Sequence, residues 1–89
     1  MNEQDYINQL KTEGYNPVFV WDAEPNEDDP DHAHEFISKL IILSGSITIN
    51  MNDKVTTLST GQSIVIPGGI IHSGRVGAHG CRYIVGEKH

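Results

Sequence analysis

Two stretches decide how this chain is read: Asp31-His32-Ala33-His34 and, further on, Pro67-Gly68-Gly69-Ile70-Ile71-His72. Side chains of an extended strand alternate between its faces, so His32 and His34 share one side. His72 follows a tight Pro-Gly-Gly turn and can join them. Three neutral imidazoles on one face make a good donor set for a divalent transition metal: iron, zinc, nickel, manganese or copper.

Outward from these stretches, the chain reads as short extended runs separated by turn signals. Phe36 to Leu43 is apolar on both faces, Ile47 to Met51 alternates, and Val55 to Leu58, Ser63 to Ile66, His72 to Val76 and Cys81 to Val85 follow. Ser44-Gly45-Ser46, Asn52-Asp53, Ser59-Thr60-Gly61-Gln62 and Gly77-Ala78-His79-Gly80 read as the breaks between them. Strands at intervals of about eight to twelve residues indicate an antiparallel barrel or sandwich, an all-β class. The inward parity set by the histidines carries Phe36, Ser38, Leu40 and Ile42. The opposite face, Ile37, Ile41 and Leu43 with Lys39 as the exception, must pack on a second sheet, a helix or a second subunit, and we read it as a pointer to a homodimer.

Before the strands, Asn2 to Lys11 has the marks of a short helix: Asn2 as N-cap, Glu3 and Asp5 at the positive end of the dipole, Tyr6, Ile7 and Leu10 as an apolar stripe, and Gly14 as the stop. Tyr15 to Trp21 reads as extended, with Trp21 expected to anchor it in the core. Ala23 to Asp31, bracketed by Pro25 and Pro30, reads as an acidic surface loop. The expected organisation is one domain over residues 1–89, with a helix at 1–14 and a β-barrel at 18–85.

Twelve acidic against six basic residues, a formal net charge of −6, exclude the basic patch of a nucleic-acid-binding surface. No apolar run approaches the roughly 20 residues of a membrane helix. The first residues lack the features of a signal peptide, and Cys81 is the single cysteine, so a cytoplasmic protein is expected.

The residues so far resemble the two motifs of the cupin superfamily, small jelly-roll β-barrels. The first motif runs glycine, five residues, His-x-His, three or four residues, Glu, six residues, Gly; His32, His34 and Gly45 match. The second runs glycine, five residues, Pro-x-Gly, two residues, His, three residues, Asn; Gly61, Pro67, Gly69 and His72 match. The resemblance spans Val18 to about Val85. It departs at three places: Asn26 stands for the opening glycine, Ser38 for the glutamate and Val76 for the asparagine. By the resemblance, His32, His34 and His72 hold the metal without a carboxylate, which leaves the site one charge more positive and favours an anionic ligand. Phe36, Ser38, Leu40 and Tyr83 are expected to line the pocket, with Ile42 and Trp21 backing it.

The resemblance implies a metal-binding small cupin acting on a small molecule in the barrel, of the oxygenase or isomerase type. The alternatives are a non-catalytic module that senses a metal or small ligand, and a degenerate cupin that binds no metal. No inward-facing acid is visible near the histidines to serve as a general base, so no catalytic residue and no organic cofactor is assigned.

Overall fold

The computed structural model describes residues 2–89. Asn2 caps helix α1 (Glu3–Thr12) through a reciprocal pair: the Asp5 N–H donates to Asn2 Oδ1 (2.9 Å) and the Asn2 N–H donates to Asp5 Oδ2 (3.2 Å). Two orphan donors of the first turn are thereby satisfied. Gly14 then takes φ +96°, a backbone conformation open to glycine and costly to most other residues, and turns the chain into the sheet.

The strands are β1 (Val18–Ala23), β2 (Asp28–His32), β3 (Ile37–Met51), β4 (Lys54–Ser59), β5 (Ser63–Ile66) and β6 (His72–Lys88). They form one antiparallel sheet with the order β1-β6-β3-β4, in which β2 also pairs with β6 and β5 with β3. Long strands β3 and β6 are the spine, paired from Ile37↔Lys88 to Met51↔His72. Asn52 and Asp53, at φ +54° and +60°, make the two-residue turn that returns β3 as β4, the conformation a hairpin of this length demands.

The two-faced strand expected from Phe36 to Leu43 is present from Ile37 onward, Phe36 lying in the bend before it, and each face has its own cluster. Ile42 packs inside with Ile47, Ile49, Leu58, Val76 and Cys81. Ile41 packs outside with Ile84, Tyr15 and Leu10 of α1, flanked by Tyr6, Ile7, Val18 and Val20. Lys39, the exception on that face, pairs with Glu13 at 2.9 Å. Of the three covers this face could take, the helix supplies one, over Ile41 and Leu43, while Ile37 at the start of β3 stays 37% exposed.

Three expectations need correction. Trp21 is not a core residue: it is 51% exposed. Val18 and Val20 take the side of β1 that packs on the helix cluster, so parity puts Phe19 and Trp21 on the other side, on a strand that pairs only with β6. The acidic stretch before His32 is not all loop, because residues Asp28 to His32 form β2. Acidic residues and Pro30 are poor strand formers, and here they are tolerated because β2 pairs on one side only, with a register shift around Pro30 between Asp29 and His32.

Third, the glycine-containing segments at 44–46 and 77–80 bend their strands and do not end them; β3 and β6 each run straight through. β3 shifts register between Ile42 and Ser44 and again between Gly45 and Ile47. Gly45 and Gly80 have φ of +77° and +79°, and a Cβ on Gly45 would run into the Gly80 carbonyl oxygen. The two strands bend together where their backbones come closest, as bulges and glycines allow.

Candidate metal centre

The site is built where β2 meets the start of β6. The register places His32 directly opposite His72, with imidazole centroids 4.2 Å apart. His34 lies just beyond β2, and the Pro67-Gly68-Gly69 turn holds its backbone: the Gly69 N–H donates to the His34 carbonyl at 2.7 Å. Gly68 sits so close to the chain that a Cβ there would lie 2.7 Å from the Glu35 carbonyl oxygen. The second glycine-rich stretch thus clamps the first histidine stretch, which is the physical reason the two belong together.

One donor nitrogen from each of His32, His34 and His72 lies within 4.8 Å of the others. His32 Nδ1–H donates to the Pro30 carbonyl (2.7 Å) and His72 Nδ1–H to the Ile70 carbonyl (2.9 Å). A carbonyl can only accept, so both rings carry a proton on Nδ1, and in the neutral ring this leaves the Nε2 lone pair free, the arrangement that backbone partners impose on metal-binding histidines. His34 stacks on Phe36 at 4.8 Å, and its pKa is lowered first by burial and then by His32 and His72 beside it. A lowered pKa keeps this ring neutral, the form that can ligate.

The donor set fits a divalent transition metal. Asp29 Oδ2 lies 3.6 Å from His32 Nε2. With the His32 proton on Nδ1, two lone pairs face each other on the pocket wall, an electrostatic setting that favours a cation at the histidines. The cavity of about 230 Å³ is lined by all three histidines and by Asp29 and Glu87, with no lysine or arginine. Arg75 is bound to Asp28 at 3.0 Å, and Arg82 to Asp22 and Glu3 at 2.7 and 2.8 Å, all outside this lining.

Most residues expected at the pocket are found there. Phe36, Ser38, Leu40, Tyr83 and Trp21 line it together with Phe19, whereas Ile42 lies behind the wall, fully buried in the inner cluster. Ser38 is 4% exposed, His72 5%. What the sequence reading misses is acid. Asp29 is brought in by β2 and Glu87 by the β3–β6 ladder, so the expected excess of positive charge is absent. A signal did exist for Glu87: its parity matches that of Tyr83 and Val85, which also line the cavity.

The motif departures have local explanations. Asn26 adopts φ +59°, the left-handed region that asparagine tolerates better than most residues, where the motif has glycine. Val76 is buried in the inner cluster. His79 is exposed and lines neither the cavity nor the cluster; Cys81 is buried, which raises its thiol pKa.

Tyr83 is pushed up to about 12, chiefly by burial and then by the negative charge of Cys81, Asp29 and Glu27. A raised folded-state value means that the unfolded chain loses the proton first. Stability from this group is intact below the unfolded value near 10 and is lost as pH rises toward 12. Chemical unfolding across pH 9–12 is expected to show a steeper alkaline decline in wild type than in Tyr83→Phe.

A histidine cluster in an antiparallel β fold of this topology defines the class. A cupin domain model matches residues 19–85, and the chain belongs to that family. No curated protein matches the sequence. Among solved structures the chain is similar to KdgF from Halomonas sp. (15% identity, TM-score 0.72), covering 81% of this chain and 67% of that one. It is also similar to an RmlC-like cupin from Shewanella frigidimarina (15% identity, TM-score 0.70; 81% and 65% covered). A third is the DMSP lyase DddQ from Ruegeria pomeroyi (20% identity, TM-score 0.74; 81% and 37% covered). The chain spans about two thirds or less of the length of these three structures. At such identities the likeness is one of fold. Among the described residues, no helix is long and apolar enough to cross a membrane.

Proposed function

We propose that this cupin holds one divalent transition metal on His32, His34 and His72 and acts on a small molecule in the adjoining cavity. The observation that carries the reading is the convergence of three imidazoles, two of them with Nε2 freed by backbone carbonyls, on a cavity whose other charged groups are carboxylates. When bound, the ion supplies Lewis acidity at a substrate oxygen and, for iron or copper, redox chemistry.

The protein's own residues define the rest. A cavity of about 230 Å³ is below the roughly 300–1,000 Å³ typical of drug-sized ligands, so the molecule is small. Phe19, Trp21, Phe36 and Tyr83 offer it apolar and aromatic walls. With Arg75 and Arg82 engaged elsewhere and the carboxylates of Asp29 and Glu87 offsetting the charge of a divalent ion, little net positive charge is left to draw an anion, which favours a neutral or cationic substrate. Asp29 stands at the wall beside His32 and can take a proton from a bound molecule, the general base the sequence reading lacks. An isomerase or lyase type of proton transfer fits these groups best.

A second reading, a non-catalytic module that senses a metal or small ligand, is favoured by Ser38 at the position where the motif has glutamate. Turnover of a panel of small neutral and cationic carbonyl compounds by the metal-loaded protein separates the two. The enzymatic reading expects turnover that falls at least about tenfold in Asp29→Asn with metal content unchanged. Metal binding with no turnover in any member of the panel decides for the module. Trp21, the single tryptophan, gives a fluorescence signal for occupancy of the cavity.

A further inference from the structure

Ser38 is too short to reach into the cavity as a glutamate would, yet the ladder compensates for it. In the β3–β6 register Ser38 stands directly opposite Glu87. Side chains of directly opposed residues lie on the same face with Cβ atoms about 4.5–5.5 Å apart. Glu87 therefore projects on the side of Ser38, into the cavity that both residues line with the three histidines. The small serine leaves room beside it for the longer chain.

Glu87 is also placed as a structural carboxylate rather than a solvated one. Its side chain is 20% exposed, against 64% for that of Asp29. Its oxygen Oε1 meets His89 Nε2 at 3.1 Å, and the His89 ring lies 4.7 Å from Phe36, which in turn stacks on His34. Arginine and lysine are absent from the lining, so a carboxylate at this depth has no permanent cation beside it. Glu87 also falls outside residues 19–85, the segment matched by the family model, so a reading confined to the motifs passes over it.

We propose that Glu87 is the carboxylate ligand of the metal centre, standing in from the neighbouring strand for the glutamate that Ser38 replaces. The proposal rests on the three-histidine reading. It would make the donor set three imidazoles, already gathered within 4.8 Å, and one carboxylate that a side-chain rotation brings to them from the same cavity wall; ligating carboxylates commonly keep a further hydrogen bond, which His89 supplies here.

The test moves the carboxylate across the ladder. Apo protein is titrated with Co²⁺ by calorimetry for wild type, Glu87→Gln, Ser38→Glu/Glu87→Gln, Asp29→Asn and His34→Ala, with apo thermal unfolding recorded for each. The expected result is one site in wild type, affinity lower by about tenfold or more in Glu87→Gln, and recovery to within about threefold of wild type in the double variant. Recovery on relocating the same group cannot come from a fold defect in Glu87→Gln. Wild-type affinity in Glu87→Gln, a loss that Ser38→Glu does not restore, or a loss confined to Asp29→Asn overturns the proposal. Failure of the underlying reading looks different: wild type binds no Co²⁺, or His34→Ala binds it as tightly as wild type.

Discussion

His34→Ala is expected to lose metal binding, with affinity lower by at least about 100-fold, while the apo protein unfolds within about 1 kcal/mol of wild type. His34 is chosen because its two roles separate. Its backbone carbonyl accepts from Gly69 and fixes the clamp between the two glycine- and histidine-bearing stretches, and that bond survives the substitution. Its imidazole stacks on Phe36 and otherwise faces the cluster. His72, buried against the Ile70 carbonyl, would be a poorer probe, since truncating it opens a void and frees a carbonyl as well as removing a donor. Calorimetric titration with metal, beside urea unfolding in chelator, checks both halves. A variant that binds as wild type does removes His34 from the site.

Gly45→Ala is expected to cost about 3 kcal/mol or more, a large part of the roughly 4–13 kcal/mol typical of a domain this size. Two effects add. The residue sits at φ +77°, where an L side chain costs about 1–2 kcal/mol. Its Cβ would also run into the Gly80 carbonyl oxygen, which is backbone of β6 and cannot swing aside as a side chain can. Gly61→Ala isolates the first effect: φ is +85° but nothing lies within 4 Å of the added carbon, so only about 1–2 kcal/mol is expected. Equal losses in the two variants, measured by urea unfolding, would contradict the account of β3 and β6 bending in contact.

The elements legible in the sequence are those whose cause is local. Helix α1 announces itself through Asn2, Asp5 and its apolar stripe, and the Asn52-Asp53 hairpin through residues that tolerate positive φ. The histidine cluster is legible because the His-x-His and glycine spacings agree on it, although β2 ends at His32 and His34 is held by the Gly69 bond instead of by strand pairing. Tertiary partners decide the rest. Trp21 looks like a core residue by size, yet Val18 and Val20 take the side of β1 that packs on the helix. Residues 28–32 have no strand propensity of their own and are extended because β6 offers them a partner. Gly45 and Gly77 to Gly80 look like breaks until the facing strand shows that they are bends. Asp29 and Glu87 are the most consequential omissions, because each reaches the cavity only through pairing with residues distant in sequence, Gly74 and Ser38.

Elemental analysis of the native protein, purified without chelator or immobilised-metal resin and set beside His34→Ala, tests the central claim most directly. The three-histidine centre predicts close to one transition-metal ion per chain in wild type and none in the variant. Metal-free wild-type protein that also fails to bind iron, zinc, nickel, manganese or copper on titration would contradict it.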